Sequence, residues 1–477
     1  MKTKRTILTL SALLLAPLGT LQAADVQPSK PNLVVILVDD MGYGDIAPFG
    51  SKKNRTPNLD KMASEGMKLT SFYCAQVCTA SRAQLMTGCY AARVSLTGAL
   101  MPVNAKGINA KEHTVAELLK QQGYATMMVG KWHLGDQEEF LPTRHGFDHY
   151  FGLPYSNDMT FLKKGNPPLP LLRDAKVIEA PAEQDTLTAR YTDEALKFIT
   201  ANAPTGSAQA KPFFLYYAHT AVHVPLHPGA AFKGKSANGT YGDWVEEVDW
   251  SVGCVLAKLK ELKLDKNTLV LFTSDNGPWL EYGKAAGSAL PLRGGKHTTW
   301  EGGMREPAIV RWPGQIAPGS VCDTVLSETD VLPTFVKLAG GKVPADNKID
   351  GKDMWPVLSG KTKESPREAL FYFSQGRKIE AVRSGPWKLA VEPQALPKIK
   401  GVREEVPHTG PRLYNLDTDI GETTDVAAQN PGVVAKLLQL IEKMKNGEMS
   451  DKAQWPRLAG NAANPQPLLK KIGSEYD

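Results

Sequence analysis

Cysteine is scarce in this chain, five among 477 residues, which excludes the disulfide-dense scaffolds of small exported domains. The spacings of Cys74, Cys78, Cys89, Cys254 and Cys322 have no zinc-site form. Basic residues do not cluster beyond short pairs, and no zinc-finger or RNA-recognition pattern occurs. A net charge of +6 spread over such a length therefore gives no reason to expect nucleic-acid binding. Repeats and long low-complexity linkers are also missing. What remains is an ordinary globular composition, long enough for one large domain and a smaller one, or for two of similar size.

An apolar stretch from Ile7 to Leu21 is short for a membrane span and is interrupted by Pro17 and Gly19. Lys2, Lys4 and Arg5 precede it, and Gln22-Ala23-Ala24 follows. That is the order of a secretory signal peptide, so residues 1–23 are expected to be a leader cut near Ala23. The mature protein is then expected to be exported, periplasmic or extracellular, and free of the membrane. Its three leader cations depart, which halves the charge excess of +6. An odd cysteine count leaves at least one thiol unpaired within the chain. Cys74, Cys89, Cys254 and Cys322 would allow up to two disulfides, in three full pairings.

Four short apolar runs each end in polar or ionisable residues. Leu33 to Val38 meets Asp39-Asp40, and Ala125 to Val129 passes Gly130 into Lys131-Trp132-His133. Phe213 to Tyr217 leads to His219 and His223, and Leu269 to Thr273 passes Ser274 into Asp275-Asn276. Continuous apolar runs of this length predict strands buried on both faces. Helical patterns lie between them, at Thr114 to Gln122 and Gly242 to Leu264, so the expected fold is α/β with a largely parallel sheet. Ligands bind such sheets beyond the carboxyl ends of the strands, where all four runs place their chemistry. One strand ending in Asp would mean a turn or a cap; four such ends predict an active site. After about residue 356, the runs Ala369 to Phe373, Ile379 to Arg383 and Trp387 to Val391 predict a small antiparallel sheet. The helical pattern Val433 to Met444 follows, then a Pro/Asn-rich tail.

Cys78-Thr79-Ala80-Ser81-Arg82 is followed by an apolar helical turn, which predicts a helix with Cys78 at its N-terminus. Free N–H groups and a partial positive charge suit an anionic group there. A buried structural thiol and a thiolate nucleophile are the two plain readings of Cys78.

Cys78-x-Ala-x-Arg82 with Leu85-Met-Thr-Gly88 resembles the first motif of the formylglycine-dependent (type I) sulfatases. Gly123 to His133 resembles the second. Asp39-Asp40-Met-Gly-Tyr-Gly-Asp45, Pro154-Tyr-Ser156, Asp275-Asn276-Gly277, Gly295-Lys296 to Pro307 and Leu413-Tyr-Asn-Leu416 follow in the same order. The resemblance spans roughly residues 31–430 and is closest to the arylsulfatase A and N-acetylgalactosamine-6-sulfatase type. It implies an alkaline-phosphatase-like α/β fold: a large mixed, mostly parallel sheet flanked by helices, with a C-terminal antiparallel-sheet-plus-helix subdomain. The domains would be 24–355 (catalytic) and 356–477 (C-terminal, with a polar tail).

The resemblance further implies that a sulfatase-maturing, formylglycine-generating enzyme oxidises Cys78 to formylglycine, whose hydrate is the nucleophile. Asp39, Asp40, Asp275 and Asn276, with residue 78, would hold Ca²⁺, or less favourably Mg²⁺. An all-oxygen set suits a hard cation rather than zinc. Arg82 would hold the hydrate, and Lys131 and Lys296 would bind sulfate oxygens. His223 would protonate the leaving alcohol, and His133 would take the proton of the second hydroxyl. Ser156 would contact sulfate or His133. The substrate would be a sulfated sugar or an aryl sulfate, with Trp279, Tyr282, Asn157 and Asp158 near the leaving group. Two alternatives are a phosphodiesterase or phosphonate hydrolase of the same superfamily, and a non-catalytic binder of sulfated glycans. Ala80 stands where the family usually has Pro, and Cys89 where it commonly has Arg.

Overall fold

Alternate residues of the strand Asn32–Val38 enter two different hydrophobic cores. Leu33, Val35 and Leu37 face one, and Val34, Ile36 and Val38 the other. The strand Phe213–Ala218 divides in the same way. A period of two with both sets buried places these strands in the middle of a covered sheet. The computed structural model describes residues 30–159, 167–204, 211–395 and 410–469. The leader expected at 1–23 and the last residues of the tail lie outside them.

The central sheet has eleven strands. Its core runs Thr268–Ser274, Asn32–Val38, Phe213–Ala218, Ala125–Gly130 and His149–Gly152, every neighbouring pair parallel. The four strands read from the sequence are therefore adjacent. On one flank Arg305–Arg311 runs antiparallel to both Thr268–Ser274 and Met67–Tyr73. This strand is not legible in the sequence, because charges occupy both ends and Pro307 stands where the register shifts between Glu306 and Ala308.

Helices cover both faces. Val115–Gln121 and Val331–Leu338 pack with Leu118, Leu119, Leu332 and Phe335 on one side. Leu187–Ala201, Gly239–Glu261 and Pro57–Glu65 cover the other. Each fully buried Leu, Val or Phe among them contributes roughly 1.5–3 kcal/mol. Thr114 starts its helix with a reciprocal cap: its hydroxyl accepts from the Glu117 N–H while the Glu117 carboxylate accepts from the Thr114 N–H.

The C-terminal sheet holds Leu370–Phe373, Ile379–Ser384, Trp387–Ala390 and Arg412–Asn415, all antiparallel. The helix Pro431–Asn446 closes it with Leu437, Leu440, Ile441 and Met444 on one face. Buried charge fastens this sheet to the central one. Lys388 reaches Glu301 at 3.1 Å and the carbonyl of Thr299 at 2.9 Å, and the Tyr372 hydroxyl donates to Glu301 at 2.7 Å. Burial alone would raise the Glu301 carboxyl, but Lys388, Arg383 and Arg305 hold it at about 2. The tail then returns, pairing Gly460–Asn461 with Lys106–Gly107.

The disulfides allowed by composition do not form: all five thiols are free. Cys89, in the place of an arginine, receives one from elsewhere in the chain, with Nη2 of Arg457 3.1 Å from its sulfur.

Candidate active site

The hydrogen-bond ladder of the parallel strands continues past their ends. The N–H of Asp275 donates to Val38, that of His219 to Leu37, that of Lys131 to Ala218 and that of Asp39 to Ala221. The residues following each strand are thus drawn to one edge, where Asp39, Asp40, Lys131, His133, His223, Asp275, Asn276 and Lys296 are all buried. Among the strand-ending residues, His219 does not join them. Its ring lies on Tyr217 with centroids 4.2 Å apart, and burial alone lowers it to about 3.

Three carboxylates meet three cations. Arg82 donates from Nε and Nη2 to Oδ2 of Asp275 at 3.0 and 2.8 Å, and from Nη1 to the carbonyl of Lys131. Lys131 Nζ lies 2.5 Å from Oδ2 of Asp39 and 3.1 Å from the Ser156 hydroxyl. Lys296 Nζ contacts both oxygens of Asp40, at 2.6 and 2.9 Å. Burial works to raise Asp39, yet Lys131, His223 and Arg82 hold its carboxyl far below the carboxylate range. Asp275 goes the other way, to about 7, because burial and the neighbouring Asp39 outweigh Arg82.

Several donor atoms remain open. Oδ1 of Asp39 and Oδ1 of Asn276 are buried without a hydrogen-bond partner. Asp39, Asp40 and His223 each present a ligand atom within 4.8 Å of the others. Orphaned buried oxygens beside carboxylates fit a hard divalent cation. His223 was expected only as a proton donor, and its Nε2 lies 3.6 Å from Oδ2 of Asp40. Asp275, expected as a ligand, turns Oδ2 to Arg82 and accepts the Asp40 N–H on Oδ1 at 3.2 Å.

Cys78 opens the helix Cys78–Thr87, as the sequence predicts. Burial pushes its thiol above the ordinary value, opposed in part by Lys131 and Lys296. Burial thus outweighs the helix N-terminus and the two cations at this thiol. Its neighbour Thr79 donates to the carbonyl of His133 at 3.0 Å. The imidazole of His133 places Nε2 2.9 Å from the carbonyl of Leu100, so Nε2 carries the hydrogen and Nδ1 is left as a buried lone pair without a partner. Burial, then Lys131 and Arg82, keep this ring neutral.

Two features of the rim have no sequence signature. Lys296 Nζ stands 4.6 Å over the Trp279 ring, a cation–π contact. His297 accepts or donates at 2.9 Å to Gln375, which comes from the C-terminal sheet. Both are juxtapositions of segments far apart in the chain.

A large, mostly parallel sheet with acidic, lysyl and imidazole side chains at its carboxyl edge, beside a small antiparallel sheet, is the alkaline-phosphatase-like architecture that the resemblance implies. Comparison with known proteins refines that class. The sulfatase family profile matches residues 31–341, and that of the N-sulphoglucosamine sulphohydrolase C-terminal region matches 295–447. The chain is 43% identical to N-acetylgalactosamine-6-sulfatase of Mus musculus over 400 residues, covering 79% of this chain and 74% of that one. It is 38% identical to arylsulfatase A of Homo sapiens over 447 residues, 87% of each. The solved PsFucS1 sulfatase of Pseudoalteromonas sp. superposes with a TM-score of 0.80 at 30% identity, covering 90% of this chain and 91% of that one. The chain belongs to the sulfatase family and is a sulfuric ester hydrolase.

Proposed function

We propose that this enzyme removes sulfate from sulfated carbohydrates, using the hydrate of a formylglycine made from Cys78. The observation that carries the reading is the placement of residue 78: it begins a buried helix within electrostatic reach of Lys131, Lys296, Asp39 and Asp275. An unmodified Cys there would be left holding a stable thiosulfate. A gem-diol has a second hydroxyl from which to recover.

One hydroxyl of the hydrate attacks sulfur while the ester bond to the sugar oxygen breaks. His223 hands a proton to that oxygen. The Nδ1–H of His223 is committed to the carbonyl of Val224, so Nε2 is the working atom. Burial and Lys296 lower its pKa in the free site; an arriving sulfate anion favours its protonation. In the second stage the free Nδ1 of His133 takes the proton of the remaining hydroxyl, the carbon–oxygen double bond forms, and sulfate leaves. Water then restores the hydrate. Lys131 and Lys296 turn from Asp39 and Asp40 toward sulfate oxygens and offset charge that develops in transfer. Arg82, fixed on Asp275, holds the hydrate, and Ser156 orients Lys131.

Asp39, Asp40, Asp275 and Asn276 would hold the divalent cation, Ca²⁺ ahead of Mg²⁺, with His223 at its edge. Such an ion polarises sulfate and acidifies a hydroxyl. The orphaned Oδ1 atoms of Asp39 and Asn276 support it.

Export follows from the leader-like residues 1–23; among the described residues no helix is long and apolar enough to cross a membrane. The division at 355/356 is proposed on the change from the central sheet to the antiparallel one. A parallel assay tests the activity: sulfate release from 6-sulfated N-acetylgalactosamine and from an aryl sulfate, beside phosphate release from an aryl phosphate. Faster phosphate release would overturn the reading.

A further inference from the structure

Thr79 is the second residue of the helix Cys78–Thr87 and is fully buried. Deeper in a helix a threonine hydroxyl turns back to the carbonyl four residues before it, as Thr87 does to Ala83 and Thr192 to Thr188, both at 2.7 Å. In the first turn no helical carbonyl stands there, so the Thr79 hydroxyl is free for distant partners. Its O–H donates to the carbonyl of His133 at 3.0 Å, and its oxygen accepts the N–H of Leu100 at 3.2 Å. The carbonyl of Leu100 in turn accepts from Nε2 of His133 at 2.9 Å. A closed ring of three hydrogen bonds thus joins the residue after Cys78 to both the imidazole and the backbone of His133.

His133 needs such support. Its φ is 61°, in the left-handed region that non-glycine residues seldom adopt. A backbone in that region persists only where its surroundings over-determine it. The His133 N–H donates to the carbonyl of Pro154 at 3.1 Å, and its carbonyl is the one that Thr79 holds. The Leu100 side is braced as well. The Val103 N–H donates to Asp136 at 2.6 Å, the Ile108 N–H to the carbonyl of Leu134 at 2.8 Å, and the Ala462 N–H of the tail to the carbonyl of Ala105 at 2.7 Å. Thr79 ties this braced loop to the strained backbone of His133.

We propose that Thr79 is a positioning residue for the second stage of sulfate transfer. It holds the His133 ring so that Nε2 keeps its hydrogen on Leu100 and Nδ1 keeps a lone pair for the proton of the remaining hydroxyl. The stage it serves rests on the formylglycine reading above; the hydrogen-bonded ring does not. A serine keeps both bonds of the hydroxyl, whereas valine, of nearly the same shape as threonine, keeps neither.

Thr79→Val and Thr79→Ser are compared with the parent by rapid mixing with an aryl sulfate. Rates are taken per formylglycine at residue 78, counted by mass spectrometry. In Thr79→Val the first release of aryl alcohol should keep the parent rate, while sulfate release slows about ten-fold, the order that one lost positioning hydrogen bond gives. Sulfated residue 78 should accumulate, and Thr79→Ser should match the parent in both phases. Equal slowing of the two phases, as general damage would produce, overturns the proposal. So does a Thr79→Ser protein as slow as Thr79→Val, or a Thr79→Val protein as fast as the parent. A second measurement needs no formylglycine: NMR of isotope-labelled histidine, with the His133 ring identified by its loss in His133→Ala. The hydrogen should sit on Nε2 alone in the parent and in Thr79→Ser, and exchange between both nitrogens in Thr79→Val. An unchanged ring in Thr79→Val overturns the proposal. A changed ring beside a parent that releases no sulfate upholds the support of His133 and sinks the sulfatase chemistry instead.

Discussion

Nε and Nη2 of Arg82 donate to a single oxygen of Asp275, at 3.0 and 2.8 Å, and both side chains are fully buried. This pair joins the helix that begins at Cys78 to the end of the strand Thr268–Ser274. Removing one member of a buried pair strands the other's charge, at a cost of about 3–5 kcal/mol. Arg82→Ala should therefore lower stability by that amount in denaturant unfolding and abolish sulfate release. Arg82→Lys should retain part of the stability but not the two-pronged contact. Unchanged stability in Arg82→Ala would refute the structural role.

The free Nδ1 of His133 gives a more specific expectation. If it accepts the proton in the second stage, His133→Ala should slow turnover by about 10²–10⁴-fold, and sulfate should accumulate on residue 78. Mass spectrometry of the protein quenched during turnover with an aryl sulfate should show this adduct. Slow turnover without an adduct would place His133 in the first stage instead.

Ser156 touches Lys131 at 3.1 Å. Loss of one such hydrogen bond costs about 0.5–1.5 kcal/mol, so Ser156→Ala should raise KM about two- to ten-fold with little change in kcat. An equal fall in kcat would instead show that the contact forms only during reaction.

Four strands were legible in the sequence because each is an apolar run stopped by chemistry. Arg305–Arg311 was not, since its ends are charged and its middle holds Pro307. The side chains at the carboxyl edge could be read for the same reason as the strands: their types alternate with buried runs. What holds them could not be read. The partner of His133 is a backbone carbonyl at Leu100, which has no residue type, and the partner of His297 comes from Gln375 in another sheet. The apolar run Phe213 to Tyr217 does not by itself separate His219 from His223, although the family resemblance singles out His223. Only the turn after the strand places one against Tyr217 and the other against Asp40.

Glu247 supplies a test of pH-dependent stability away from the site. Burial raises it from 4.5 to about 7, against the Gly229 N–H that its Oε2 accepts at 2.7 Å. The folded state therefore holds a proton that the unfolded chain releases, and stability falls as pH rises from about 4.5 to about 7. Glu247→Gln keeps a carbonyl for Gly229 and carries no charge. It should flatten this slope and be the more stable protein at pH above about 7 in thermal unfolding. A parallel decline in both proteins would assign the slope to other groups.

The proposed cation can be tested without activity. Three buried carboxylates share the site, and binding to the folded state alone stabilises it. Dialysis against a chelator should lower the Tm, and Ca²⁺ should restore it in the parent but not in Asp39→Asn.

Everything turns on residue 78. The peptide containing it, isolated from the native host and analysed by mass spectrometry, should carry a carbonyl oxygen in place of sulfur, in proportion to specific activity across preparations. Full sulfatase activity in protein whose Cys78 is entirely unmodified would contradict the proposed chemistry.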